Sequence, residues 1–131
     1  RFASFRPADG RHKQFNDVVK QLAEEGLLQF FNDTATTEIY TSGVVGALQF
    51  DVIEARMKSE YGIQCYIDQS PYVAARWPVA NAPSALPLKL PLSGVRQVVD
   101  RHERDALLFD SEWAVGYTAE KNPDVTFYDS L

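Results

Sequence analysis

DVIEARMKSEYGIQCYID, residues 51–68, changes its period halfway along. In the first part Ile53, Met57 and Tyr61 recur every four residues with Val52 beside them, one apolar stripe of a helix. Asp51 is of the type that caps a helix N-terminus, and Glu54 and Lys58 stand in the favourable order for an i,i+4 pair. Gly62 is the residue type that ends helices. Beyond it Ile63, Cys65 and Ile67 alternate with polar neighbours, the period of a half-buried strand. The stretch therefore predicts a helix followed by a strand.

Working upstream, the same two periods alternate. Residues 1–6 read as a strand, and Asp9-Gly10 as a turn. Phe15, Val18, Val19 and Leu22 mark one face of an amphipathic helix that Gly26 terminates. Leu27–Phe31 reads as a second strand and the polar run 32–37 as a turn. A third strand is expected from Glu38 to Thr41, broken at Ser42-Gly43 and resuming from Val44 to Phe50. In that strand Leu48 and Phe50 would alternate with Gln49 and point to the core. The order β-α-β-β-α-β over residues 1–68 predicts an α+β, ferredoxin-like sandwich, extended by a second α+β half. The expected division is 1–69 and 70–131 within one domain.

Downstream, Tyr72–Val79 predicts a strand, and Ala80–Leu92, with Pro83, Pro87 and Pro91, an extended connection. Ser93 is placed to cap a third helix carrying Val95, Val98, Val99, His102 and Ala106 on one face. Leu107–Asp110 and Trp113–Tyr117 read as two short strands around an acidic turn. Ala119–Asn122 is at most one helical turn, and Val125–Tyr128 a last strand. The second half would then echo β-α-β-β-α-β.

A chain of 131 residues, 45% hydrophobic and 24% charged, is ordinary for a globular protein. No run approaches the roughly 18 apolar residues of a transmembrane helix, and no basic-then-apolar leader opens it. The single cysteine allows no internal disulfide and points to a reducing compartment. Arg1 opens the chain and Met57 is its only methionine, so the expectation is a segment of a longer protein. The net charge of −5 argues against binding nucleic acid with the whole surface. Arg1, Arg6, Arg11, Lys13 and Lys20 against Asp9 and Asp17 nevertheless leave residues 1–20 locally basic.

Catalytic patterns are missing. There is no G-x-x-x-x-G-K-[ST] phosphate loop, no G-x-S-x-G elbow and no H-E-x-x-H. His12 and His102 stand far apart, His12 near a helix start and His102 on the expected third helix, so neither suggests a metal site. Cys65, between Ile63 and Ile67, reads as a structural thiol, and Glu24-Glu25 as surface charge rather than an acid/base pair. The residues alone describe a non-catalytic α/β module.

The segment 43–62, GVVGALQFDVIEARMKSEYG, resembles the C-terminal domain of the bacterial peptide chain release factor 3 family. Gly46, Leu48, Gln49, Phe50 and Asp51, then Lys58, Ser59, Glu60 and Tyr61, fall on that family's pattern. QLAEEGLLQFF at 21–31, VAARW at 73–77 and NPDVTF at 122–127 resemble further blocks in the same order. A more distant similarity, to domain III of elongation factor G, covers 43–67. The loop 32–42, the proline-rich 82–91 and the segment 107–122 differ from the family pattern.

This resemblance implies a cytoplasmic translational GTPase with GTP and Mg²⁺ in an N-terminal G domain, then a β-barrel domain, both outside this sequence. It implies that the protein drives class I release factors off the ribosome in translation termination. The C-terminal domain would be non-catalytic, without a cofactor of its own, and would lie against small-subunit rRNA and protein. Candidate contacts are Arg56 and Lys58, on the side of the helix away from Ile53 and Met57, and Arg76 beside Trp77. For each, an ordinary solvated or paired charge is the competing reading. A standalone ferredoxin-like ligand-binding domain or small enzyme is the alternative for the chain as a whole.

Overall fold

A computed structural model describes residues 2–8, 12–26, 28–33, 39–43 and 48–130, with backbone alone at 12, 39–43, 48 and 49. The chain divides into two compact units, Arg1–Ser70 and Pro71–Leu131. It is α+β, and its first unit is ferredoxin-like.

In the first unit the order is β1 (Phe2–Pro7), α1 (His12–Glu24), β2 (Leu28–Asp33), β3 (Ile39–Gly43), α2 (Leu48–Tyr61) and β4 (Cys65–Gln69). The strands lie in the order β4-β1-β3-β2, each antiparallel to its neighbour. The expected faces pack as read except for Val52, which is 52% exposed. Phe15, Val18, Val19 and Leu22 of α1 and Ile53 and Met57 of α2 are buried with Phe5 and Phe30. Burial of such side chains contributes roughly 1.5–3 kcal/mol each before the entropy of ordering is set against it. Gly62 takes φ +66°, a left-handed conformation that costs a β-carbon strain, and lets the Ile63 amide reach Met57 O at 3.0 Å.

One element differs from expectation. Residues 48–50 are the first turn of α2, not the end of a strand, and Asp51 lies inside that turn rather than capping it. Residues 44–47 of the expected strand, and Gly46 with them, lie outside the described residues. The helix wins because Phe50, Ile53 and Met57 fall at i, i+3 and i+7 and reach one core. Asp51 gains from the N-terminal end of the helix dipole. Phe50 is buried as expected, its ring 5.8 Å from that of Phe5 and edge-on.

The second unit runs β5 (Ala74–Ala80), a 3-10 turn (Pro83–Ala85), β6 (Val95–Asp100), β7 (Asp105–Phe109), α3 (Glu112–Lys121) and β8 (Val125–Tyr128). Its strands order as β6-β7-β5-β8, antiparallel throughout. The helix expected after Ser93 is instead the hairpin β6–β7, and His102 sits exposed in its turn. Val95, Val98 and Val99 fit a helical stripe, but β-branched residues favour strands. Val98 and Asp100 are buried on one side with Gln97 exposed, a period of two. The strand expected at 113–117 is the body of α3. Ser111 Oγ accepts from the Ala114 amide at 3.1 Å, and Ala114 and Thr118 bury one side of the helix. The order is therefore β-β-β-α-β, not a second β-α-β-β-α-β. The last strand and the extended proline-rich connection stand where the sequence puts them.

Candidate functional site

Arg56 projects from α2 and is engaged within the chain. Its Nε and Nη2 donate to Glu60 Oε2 at 3.0 and 2.9 Å, and Nη2 donates to Glu25 Oε1 at 3.4 Å. The hydrogen bond with Glu60 leads in raising the guanidinium above its ordinary value; burial opposes and the Glu25 and Glu60 charges add. The helix pair expected between Glu54 and Lys58 is replaced by Arg56–Glu60, which runs in the less favourable order and is supplemented from outside the helix by Glu25.

Lys58 is exposed, with no ion-pair partner among the described residues. It lines an open groove of about 480 Å³ with Asp51, Glu54, Gln64, Cys65 and Tyr66. At that groove burial pushes the Cys65 thiol up to about 11, with the Glu54 charge adding. Its Sγ contacts Met57 Sδ at 3.6 Å. A thiol so shifted stays protonated near neutrality and is a poor nucleophile.

Arg76 lies on β5 in the other unit, half-buried, with Nη1 donating to Ala75 O at 2.8 Å. Its neighbour Trp77 is only 2% exposed and donates Nε1–H to Asp100 Oδ2 at 2.9 Å. Of the three expected contact residues, Arg56 and Lys58 stand on α2 of the first unit and Arg76 on β5 of the second.

Sequence reasoning missed Asp100 altogether. Its carboxylate is 4% exposed and accepts four hydrogen bonds: Trp77 Nε1 and Arg104 Nε on Oδ2, and the amides of His102 and Arg104 on Oδ1. Burial alone would raise its pKa; the bonds from the Arg104 amide, Trp77, the Arg104 guanidinium and the His102 amide outweigh it and hold the carboxyl below its ordinary value. The same group closes the β6–β7 turn, where Glu103 takes φ +62°. An Asp followed four residues later by Arg between two apolar runs was the available signal.

Asn122, also buried, was missed too. Its side-chain amide donates to Lys89 O and Thr118 O and accepts from the Lys89 amide, all at 2.8 Å. It fastens the proline-rich connection to the end of α3 as a strand neighbour would, while Leu88 and Leu90 pack against the core of the unit. Trp113, expected in a strand, stands on α3 with 69% of its surface exposed.

Among the described residues no three His, Cys, Asp or Glu side chains gather to hold a metal ion. Among the described residues no helix is long and apolar enough to cross a membrane. The sequence carries no G-x-x-x-x-G-K-[ST] loop of the kind that cradles nucleotide phosphates.

A family model described as class II release factor RF3, C-terminal domain, matches residues 1–119. Peptide chain release factor 3 of Symbiobacterium thermophilum is 36% identical over 128 residues, 96% of this chain and 24% of that protein. The protein of the same name from Staphylococcus carnosus is 35% identical over 123 residues, 92% of this chain and 23% of its own length. That of Listeria welshimeri is 36% identical over 115 residues, 88% of this chain and 21% of its own length. The chain spans about a quarter of the length of these curated relatives.

Proposed function

This chain belongs to the family of class II release factor RF3 C-terminal domains, and from that premise we propose that it is the non-catalytic, ribosome-facing domain of a GTPase that dissociates class I release factors during translation termination. The observation that carries the reading is the family match, which runs through both units and into α3. The rest of the protein would supply a G domain holding GTP and Mg²⁺, and a β-barrel domain, in the cytoplasm. Residues 1–69 and 70–131 would act as two halves of one C-terminal domain.

Of Arg56, Lys58 and Arg76, Lys58 is the cation the reading assigns to ribosomal phosphate. It alone of the three is exposed with a side chain that has no ion pair or hydrogen bond among the described residues. Arg56 would have to leave Glu25 and Glu60, and Arg76 the Ala75 carbonyl, before meeting rRNA or ribosomal protein.

The test uses the full-length protein on ribosomes carrying a labelled class I release factor. Deleting the segment equivalent to this chain should leave GTP binding intact and abolish factor release. Lys58→Glu should slow release most at low salt, the deficit narrowing as salt rises, since exposed phosphate contacts are screened. A truncated protein that releases the factor as fast as the intact one refutes the reading.

A further inference from the structure

Helix α3 buries Ala114 and Thr118 and turns a different chemistry outward. Trp113 is 69% exposed and stacks on Tyr117, with ring centroids 5.2 Å apart and 30° between planes. Lys121 Nζ closes the far end of this ridge, 5.7 Å from the Tyr117 centroid. Unlike that of Trp77, the indole N–H of Trp113 donates no hydrogen bond among the described residues. Beside the ridge, Glu112, Gly116 and Glu120 form a second column at i, i+4, i+8. Both glutamates are exposed and neither has an ion-pair partner among the described residues. A β-carbon at Gly116 would meet nothing within 4 Å, so the helix surface is open at the position between Glu112 and Glu120 in this column.

We infer that this face of α3 is a docking site for an arginine-bearing segment of a basic protein. A guanidinium laid across the Gly116 gap meets the indole face on one side and carboxylates at either end. Arginine alone among cationic side chains combines planar stacking with forked hydrogen bonding to a carboxylate. Nucleic acid fits worse, because a backbone phosphate approaching Trp113 passes both glutamates and the single cation is already drawn onto Tyr117. The inference rests on the proposed ribosomal role and deepens it, making the partner at this face a basic protein rather than rRNA.

The test titrates the chain with hexa-arginine, hexa-lysine and oligouridylate, using calorimetry for affinity and Trp113 emission for location. Hexa-arginine is expected to quench Trp113 and to bind more tightly than hexa-lysine, with oligouridylate doing neither. Trp113→Ala, and Glu112→Gln with Glu120→Gln, should each weaken hexa-arginine binding about two- to fivefold. Asp17→Asn with Glu24→Gln, exposed charges in the other unit, should leave it unchanged. Equal weakening by that control pair, unchanged affinity for Trp113→Ala, or stronger quenching by oligouridylate overturns the inference. Co-sedimentation of the chain with ribosomes separates it from the reading beneath. Wild type pelleting and the Trp113/Glu112/Glu120 triple variant staying in solution supports both. Equal pelleting of the two overturns the docking site and leaves the ribosomal role. A wild type that binds hexa-arginine as expected but does not pellet overturns the ribosomal role and leaves the arginine site.

Discussion

Replacing Asp100 by asparagine changes no volume and one charge, and the structure sets what that costs. Each carboxylate oxygen accepts two donors: Oδ1 from the amides of His102 and Arg104, Oδ2 from Trp77 Nε1 and Arg104 Nε. An asparagine has one accepting oxygen, so in either orientation its NH₂ faces a pair of donors. Trp77 is buried, and an orphaned indole N–H there has no water to turn to. With roughly 1.5–3 kcal/mol for a hydrogen bond to a charged group, and about 1–3 kcal/mol for a buried unmet donor, Asp100→Asn should cost about 2–4 kcal/mol at neutral pH, since the terms overlap. The carboxyl is held below its ordinary 3.8, so the stability it contributes is present above that value and is lost as pH falls through the lower folded value. Asparagine does not titrate, so the gap between the two proteins should close in acid below about pH 4. Urea unfolding followed by far-ultraviolet circular dichroism, at neutral pH and at several acidic values, reads both effects. A variant within about 0.5 kcal/mol of wild type at neutral pH, the range of ordinary surface changes, would show that the network does not hold the turn. A gap that persists unchanged into acid would show that the carboxylate charge is not what matters.

Three further outcomes follow from single contacts. Phe50→Ala, which removes a buried ring packed edge-on against Phe5, should destabilise the chain by roughly 3–5 kcal/mol in the same unfolding assay. Asn122→Ala cuts both bonds to Lys89, so amide exchange at Lys89 should accelerate while the Trp77 indole N–H keeps its protection. Cys65, with its thiol at about 11, should react slowly with iodoacetamide at pH 8 and speed up toward that value; rapid alkylation at pH 8 would contradict the burial that shifts it.

The first unit was legible because its helices are long enough to repeat a period and its glycines stand at their ends. Phe15 to Leu22 and Ile53 to Tyr61 each span two turns, and Gly26 and Gly62 both adopt the positive φ that such helix ends require. Leu48–Phe50 was misread because three residues with alternating polarity fit the start of a helix as well as a strand, and only the depth of Phe50 in the core decides. The second unit is built from strands of four to seven residues, too short for period to arbitrate. Val95, Val98 and Val99 fit the helical stripe and do not alternate, and Gly94 at φ +87° ahead of them was the better clue to a turn into a strand. Polar positions were harder still. Arg56 with Glu60 is visible at i,i+4, whereas Glu25, Asp100 opposite Trp77, and Asn122 opposite Lys89 are brought together by folding across 23 to 33 residues.

The distribution of engaged and idle charge decides what this acidic chain presents to a partner. Arg6 lies over Tyr66 at 4.7 Å and within 3.8 Å of Asp68; Arg56 is held by Glu25 and Glu60; Arg104 is held by Asp100. These guanidinium groups have anions of their own, so phosphate would have to compete for each one, and the sequence count of cations overstates what is available. Lys58 is not so occupied, and neither are Glu112 and Glu120 beside Trp113. The two proposed contacts therefore differ in sign: a cation on α2 suited to phosphate, and carboxylates with an open indole on α3 suited to guanidinium. Salt weakens both contacts, so ionic strength alone does not tell them apart. Charge reversal does: Lys58→Glu should leave hexa-arginine binding at α3 untouched, whereas Glu112→Lys with Glu120→Lys should abolish it.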